Sequence, residues 1–288
     1  MAPSSTRVAY LGPAGTHTDE ALRASTDDAA QPEPRATVDD AIMAVQRGEV
    51  ERAVVPIENS LEGGVAATLD ALAGEAVDVR IVREVVYPIH HHLIGRSTID
   101  LGAIERVLSH PQALGQCARF LQEHLPNAEV HAASSTAEAV RTVNDSDQPW
   151  AALGSHLSAE LYGGTILAER TEDRSDNVTR FVWLAHANDT PPPDANAPTK
   201  TSIVFWGFND DSPGSLVSVL RELSDREINL TKIESRPRRV SLGHYMFFAD
   251  LEARADEPHV EQALAALGGR VETLRVLGSY PAATPSAP

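Results

Sequence analysis

Short apolar runs that stop abruptly at polar side chains recur along the first two thirds of the chain, most of them followed by residues at helical spacing. Residues 7–11 read as a buried strand closed by the turn Gly12-Pro-Ala-Gly-Thr16, with helical sequence after it. A helix over residues 38–47 leads through Gly48 into a strand over 53–57, and Glu58-Asn-Ser60 restores polarity at once. Residues 79–86 form another strand and run into Tyr87-Pro-Ile-His-His-His-Leu-Ile94. After a strand at 106–109, His110-Pro111 starts a helix that continues from Gln112 to Leu125, proline being well suited to the first helical position. Residues 151–155, a helix through Leu161 and the run 165–167 close a second lobe. Ser175-Asp-Asn-Val-Thr-Arg-Phe181 then feeds the apolar segment 181–184. This alternation predicts an α/β unit, and in such sheets ligands bind at the carboxyl ends of the strands, where the polar clusters fall.

Beyond Leu184 the pattern loosens. Residues 188–199, with Pro191-Pro-Pro193 at their centre, read as a semi-rigid linker. From residue 200 a different order begins. A strand at 202–206 precedes Pro213-Gly214, which opens a helix with Leu216, Leu220 and Leu223 on one face. Strands at 228–233 and 245–251, a helix at 257–267 and a strand at 271–277 complete a βαββαβ order, that of a ferredoxin-like α+β domain over 200–280.

Composition narrows the function. A chain of 288 residues suits two or three units. A net charge of −17, with Lys200 and Lys232 the only lysines, argues against a general binder of nucleic acid or anionic membranes. An anionic ligand is then expected to rest on local arginines and backbone N–H groups. The single cysteine, Cys117, forms no internal disulfide and reads as a small packing residue. No signal-like region or ~20-residue apolar span is evident, so a cytoplasmic protein is expected. The run His90-His-His92 is read as a strand crossing between lobes rather than a metal site, because adjacent strand residues face opposite ways.

At the mouth of the 181–184 strand, Thr179 supplies a hydroxyl donor and Arg180 a fixed cation, a pair suited to an anionic small molecule. The alternative is an ordinary strand threonine beside a loop-capping arginine. Gln112 and Gln116 share a helix face leaning toward Ser109, or else face solvent. Backbone N–H groups around Thr16 offer an anion site, or form only a turn.

Taken together, the residues resemble one family, the monofunctional prephenate dehydratases. The resemblance rests on Gly12-Pro-Ala-Gly-Thr16, Pro56-Ile-Glu-Asn-Ser60, Ser109-His-Pro-Gln-Ala-Leu-Gly-Gln-Cys117 and Asn177-Val-Thr-Arg-Phe181, followed by Gly214-Ser-Leu-Val217 and Glu234-Ser-Arg-Pro237 in a region similar to an ACT regulatory domain. It departs from the family pattern at His17, Thr18 and Ser215. It implies a catalytic domain over 7–187, two-lobed like a type II periplasmic binding protein, with lobe 1 about 7–84 and 166–187, lobe 2 about 85–165, and the site between them. The implied activity is a carbon-oxygen lyase reaction that converts prephenate to phenylpyruvate, water and CO2 in phenylalanine biosynthesis, without cofactor or metal. The implied catalytic residues are Asn59, Glu58, Ser109, Gln116 and Thr179, with Arg180, Thr16, Ser60 and Phe181 binding substrate. L-phenylalanine is the expected effector, held by Gly214, Ser215, Leu216, Val217, Asn229, Glu234, Ser235, Arg236 and Pro237 at the interface of a homodimer or homotetramer. Within the site, Thr179 is read as the donor to the departing hydroxyl, with Glu58 as an alternative acid. The lobes alone are expected to turn over substrate. A non-catalytic amino-acid sensor built on the same cleft is the alternative function.

Overall fold

The computed structural model describes residues 5–26, 30–190, 197–208, 212–240 and 242–283, so the Pro191-Pro-Pro193 run lies outside the described residues. Three sheets organise the chain. The first orders its strands Ala30–Arg35, Thr6–Leu11, Arg52–Asn59, Val178–His186 and Val79–Pro88, with Gly63–Gly64 beside Arg52–Asn59. The second runs Thr165–Ala168, His92–Gly95, Trp150–Gly154, Arg106–Ser109, Glu129–Ala132. The chain crosses between them at residues 89–91 and returns at 169–177.

Val178–His186 is buried along almost its whole length, as a central strand covered on both faces should be. It pairs antiparallel with Arg52–Asn59 so that Thr179 lies opposite Asn59 and Arg180 opposite Glu58. Both strands therefore carry their polar ends inside the ladder, and side-chain alternation sends each pair to opposite faces of the sheet. Ala30–Arg35, which contains Pro32 and Pro34, has no strand-like apolar pattern and occupies an edge, where proline is tolerated.

The long helix expected from Gln112 is two: Pro111–Gln116 and Ala118–His124, divided at Cys117. The break is capped from a distant segment. Asp173 donates its N–H to the Gln116 carbonyl at 2.7 Å, and its carboxylate accepts from the Arg119 N–H at 3.2 Å, supplying groups a helix end leaves unpaired.

The third sheet orders Leu230–Pro237, Tyr245–Leu251, Thr199–Trp206 and Thr273–Pro281, with helices Ser215–Ser224 and Pro258–Gly268 against one face, a ferredoxin-like α+β arrangement. Its other face is not solvent. Val204, Met246, Phe248, Leu277 and Tyr280 join one buried cluster with Leu72, Ile81 and Leu184 of the first lobe. The approach is close enough that a Cβ on Gly278 would lie 2.1 Å from the Ile81 carbonyl oxygen. Cutting the chain after the lobes would uncover that core, which counts against the expectation that they function alone.

Candidate active site

Between the two lobes lies a cleft of about 450 Å³ whose lining includes Thr16, Asn59, Gln116, Thr179 and Phe181 of the expected site residues. The turn at Gly12–Thr16 ties its two walls. Gly15 adopts a φ of +84° with Ser158 packed against it, its carbonyl accepts from Ser155 Oγ at 2.6 Å, and the Ala14 carbonyl accepts from Tyr162 OH at 2.8 Å. Thr16 caps the helix His17–Ala24, its Oγ1 donating to the Leu11 carbonyl at 3.0 Å.

The orientation of the polar groups follows from one fixed amide. Asn59 Oδ1 accepts two backbone N–H groups, from Leu61 at 3.0 Å and Glu62 at 3.1 Å, so its Nδ2 is the end turned to Thr179 Oγ1 at 2.8 Å and Asn177 Oδ1 at 2.8 Å. Thr179 Oγ1 is thus an acceptor from Asn59, and its own hydrogen is left to donate toward the cleft. Asn177, with Oδ1 engaged, donates from Nδ2 to Gln116 Oε1 at 3.1 Å. His91 Nε2 lies 3.0 Å from the same Oε1. Neither Asn177 nor His91 was expected at the site from sequence, yet both line this cleft. Burial, with His17 adding to it, outweighs the Gln116 bond and Glu172 and lowers the His91 pKa to about 4.

Several expected residues stand elsewhere. Arg180 does not reach the cleft. Its Nε donates to Glu58 Oε2 at 3.0 Å, Nη1 to Glu84 Oε2 at 3.0 Å, and Nη2 pairs with Asp250 Oδ2 of the C-terminal domain at 2.8 Å. Burial acts to lower the Arg180 pKa, but Asp250, Tyr280, Glu58 and Glu84 together hold it above the ordinary value. Glu58 sits on that same outer face, paired with Arg180 and with Lys232 at 3.4 Å, and does not line the cleft, a placement that does not suit the alternative acid. Ser109 is buried beneath the cleft, its Oγ donating to the Leu153 carbonyl at 2.7 Å. Ser60 accepts the Val178 N–H on its Oγ at 3.0 Å and helps hold the Val178 end of the strand rather than lining the cavity. Neither arginine nor lysine lines the cleft among the described residues. Instead, the starts of the helices His17–Ala24, Val38–Gln46 and Thr136–Asn144 contribute to its wall, and helix N-termini attract anions.

The C-terminal domain holds a second pocket, of about 260 Å³, which Gly214, Ser215, Leu216 and Val217 line together with Phe208 and Tyr245. The other expected effector residues do not join it within one chain. Asn229 donates to Glu252 Oε2 at 2.8 Å, and residues 234–237 continue the strand Leu230–Pro237. Glu234 and Arg236 face the first lobe, Arg236 holding both Asp70 carboxylate oxygens at 2.8 and 2.9 Å. Ser235 and Pro237 point outward on the strand's exposed side.

Two lobes facing each other across a cleft lined by amides, hydroxyls and imidazoles, with a ferredoxin-like module on the back of one lobe, define a small-molecule enzyme carrying a regulatory-type domain. The prephenate dehydratase family model matches residues 8–189 and the ACT domain model residues 208–269. The chain belongs to the prephenate dehydratase family. The prephenate dehydratase of Amycolatopsis methanolica is 40% identical over 283 residues, covering 95% of this chain and 88% of that protein. Among solved structures, prephenate dehydratase from Arthrobacter aurescens in complex with L-Phe superposes with a TM-score of 0.87 at 38% identity, over 97% of this chain and 93% of that one. GqqA, described as a novel type of quorum quenching acylases, superposes at 0.84 with 30% identity, over 96% of this chain and 98% of that one.

Proposed function

We infer that this chain is a cytoplasmic prephenate dehydratase of phenylalanine biosynthesis, acting without cofactor or metal and inhibited by L-phenylalanine through its C-terminal domain. In the reaction the electron pair of the breaking C–CO2 bond moves into the ring as CO2 leaves. The ring expels its hydroxyl with the electron pair of the C–O bond, and that oxygen takes a proton to depart as water. Aromatisation drives the step, so the protein's tasks are to hold a dianion and to help an oxygen leave.

The observation that carries the reading is the polarity of Thr179. Because Asn59 donates to its Oγ1 at 2.8 Å, the threonine hydroxyl is arranged as a donor whose bond strengthens as charge builds on the leaving oxygen. An acyl-transfer nucleophile needs the reverse arrangement, its hydroxyl donating to a base. Gln116 and the helix N-terminal groups near Thr16, Val38 and Thr136 are the proposed donors to the substrate carboxylates, with Phe181 as an apolar wall. Ser109 and Ser60 support the walls from outside.

For regulation, the pocket at Gly214–Val217 is the proposed phenylalanine site. Val217, Ile233, Val240 and Tyr245 are large apolar residues left exposed on the same domain, which suits a second copy covering this region. Asn229, Ser235 and Pro237 would then reach the effector from the partner copy, while Arg236 stays engaged with Asp70 of the first lobe. The test is direct: purified protein should form phenylpyruvate from prephenate after exhaustive chelation and lose that activity on addition of L-phenylalanine. A protein that bound phenylalanine but formed no phenylpyruvate would be a sensor, and the enzymatic reading would fail.

A further inference from the structure

We propose that His91 is the positioning residue that turns the Gln116 amide toward the substrate, an inference that rests on the dehydratase reading. The direction of each bond in the chain is set by the one before it. The Leu61 and Glu62 N–H groups fix Asn59, Asn59 fixes Asn177, and Asn177 Nδ2 makes Gln116 Oε1 an acceptor. An imidazole nitrogen 3.0 Å from an oxygen that is already accepting can only donate to it, so His91 carries its proton on Nε2. Gln116 Oε1 is then held by two donors, and its Nε2 is directed away from both.

That Nε2 is buried and has no hydrogen-bond partner among the described residues. The same is true of His91 Nδ1, on a residue only 3% exposed. Both residues line the cleft. Buried polar groups left unpaired are costly, so a pair of them at a cavity wall marks where a ligand's own polar atoms complete the bonding. Gln116 offers two N–H donors, which match a carboxylate or keto oxygen. His91 decides whether those donors or the amide oxygen face the substrate, since an amide flip would bring the Gln116 NH2 against two donors.

Three variants and a double variant test this, each checked for folding by its thermal midpoint. In His91→Phe the second lock is gone, and kcat/KM for prephenate is expected to fall up to about 100-fold, the scale of a misplaced substrate contact. His91→Gln places an amide N–H where Nε2 stood and should recover activity to within about threefold of wild type. The decisive comparison is in a Gln116→Ala background, where adding His91→Phe should change kcat/KM less than about twofold because the group it positions is already absent. Loss of activity in His91→Phe that persists undiminished in the Gln116→Ala background would overturn the proposal, as would full activity in His91→Phe. Wild-type turnover of prephenate is the control that separates failure of this inference from failure of the dehydratase reading.

Discussion

The paired strands Arg52–Asn59 and Val178–His186 carry different chemistry on their two faces. On the cleft face Asn59 and Thr179 are neutral, and each bond's direction is dictated by the previous one. One residue along, Glu58 and Arg180 point the other way into a charged network that reaches Glu84, Lys200, Lys232 and Asp250. Neutral hydrogen bonds orient atoms at low electrostatic cost, which suits a site that must accept a dianion. Buried ion pairs fix one element against another and are intolerant of losing a member. The backbone carries both functions on adjacent residues, so Arg180 ties the C-terminal domain to the strands that hold Asn59 and Thr179.

The largest expected effect breaks the charged face. Arg180→Ala leaves Glu58, Glu84 and Asp250 without their shared cation, and a loss of about 3–5 kcal/mol is expected from breaking a buried pair. Denaturant unfolding measures it. The KM for prephenate, taken where the variant is still folded, should stay within about threefold, since uniform binding is lost only when a binding contact is removed. A large rise in KM would return Arg180 to the substrate.

On the neutral face the expected effect is set by pH. Folding lowers the His91 pKa from 6.5 to about 4, so the native state binds this proton less readily than the unfolded chain. Its contribution is fully present above pH 6.5 and is lost as pH falls through 4, about 3 kcal/mol at most. His17, His92 and Glu172 act on the same ring, so the comparison is wild type against His91→Gln. The acid loss between those pH values should shrink in the variant, and an unchanged pH profile would remove His91 as its source.

The smallest effect is on regulation. Gly214 has a φ of +85° with open space around its Cα, so Gly214→Val is opposed by backbone conformation rather than by crowding. At about 1–2 kcal/mol, that strain should raise the phenylalanine concentration for half-inhibition about tenfold. Unaltered inhibition would move the effector site elsewhere.

How much of this was legible in the sequence follows the same division. The ferredoxin-like order was readable because its helices and strands carry their own periodicity, and Asn59 and Thr179 stood out because polar clusters close apolar strands. The Arg180 and Glu58 assignments failed on a local signal that was present: residues 58–59 and 179–180 lie within the strands, where period-two alternation cannot send neighbours to one face. His91 was not readable in this way. Its role depends on Gln116, 25 residues on, and through it on Asn177 and Asn59. The break at Cys117 has the same character, because the groups that cap it belong to Asp173. Local patterns carry elements and faces, whereas bond direction is settled by contacts across the lobes.

In the proposed reaction Thr179 is the hydrogen-bond donor to the leaving hydroxyl. The measurement is the steady-state kcat and KM of Thr179→Val beside Thr179→Ser, with prephenate as substrate. Valine keeps the shape and removes the donor, so kcat should fall by about 2.7–4 kcal/mol in barrier terms, roughly 100- to 1,000-fold, with KM little changed. Serine keeps the hydroxyl within reach of Asn59 and should recover most of that loss. A kcat near wild type in Thr179→Val would contradict the account, because the proton that the Asn59 bond leaves facing the cleft would then have no part in the chemistry.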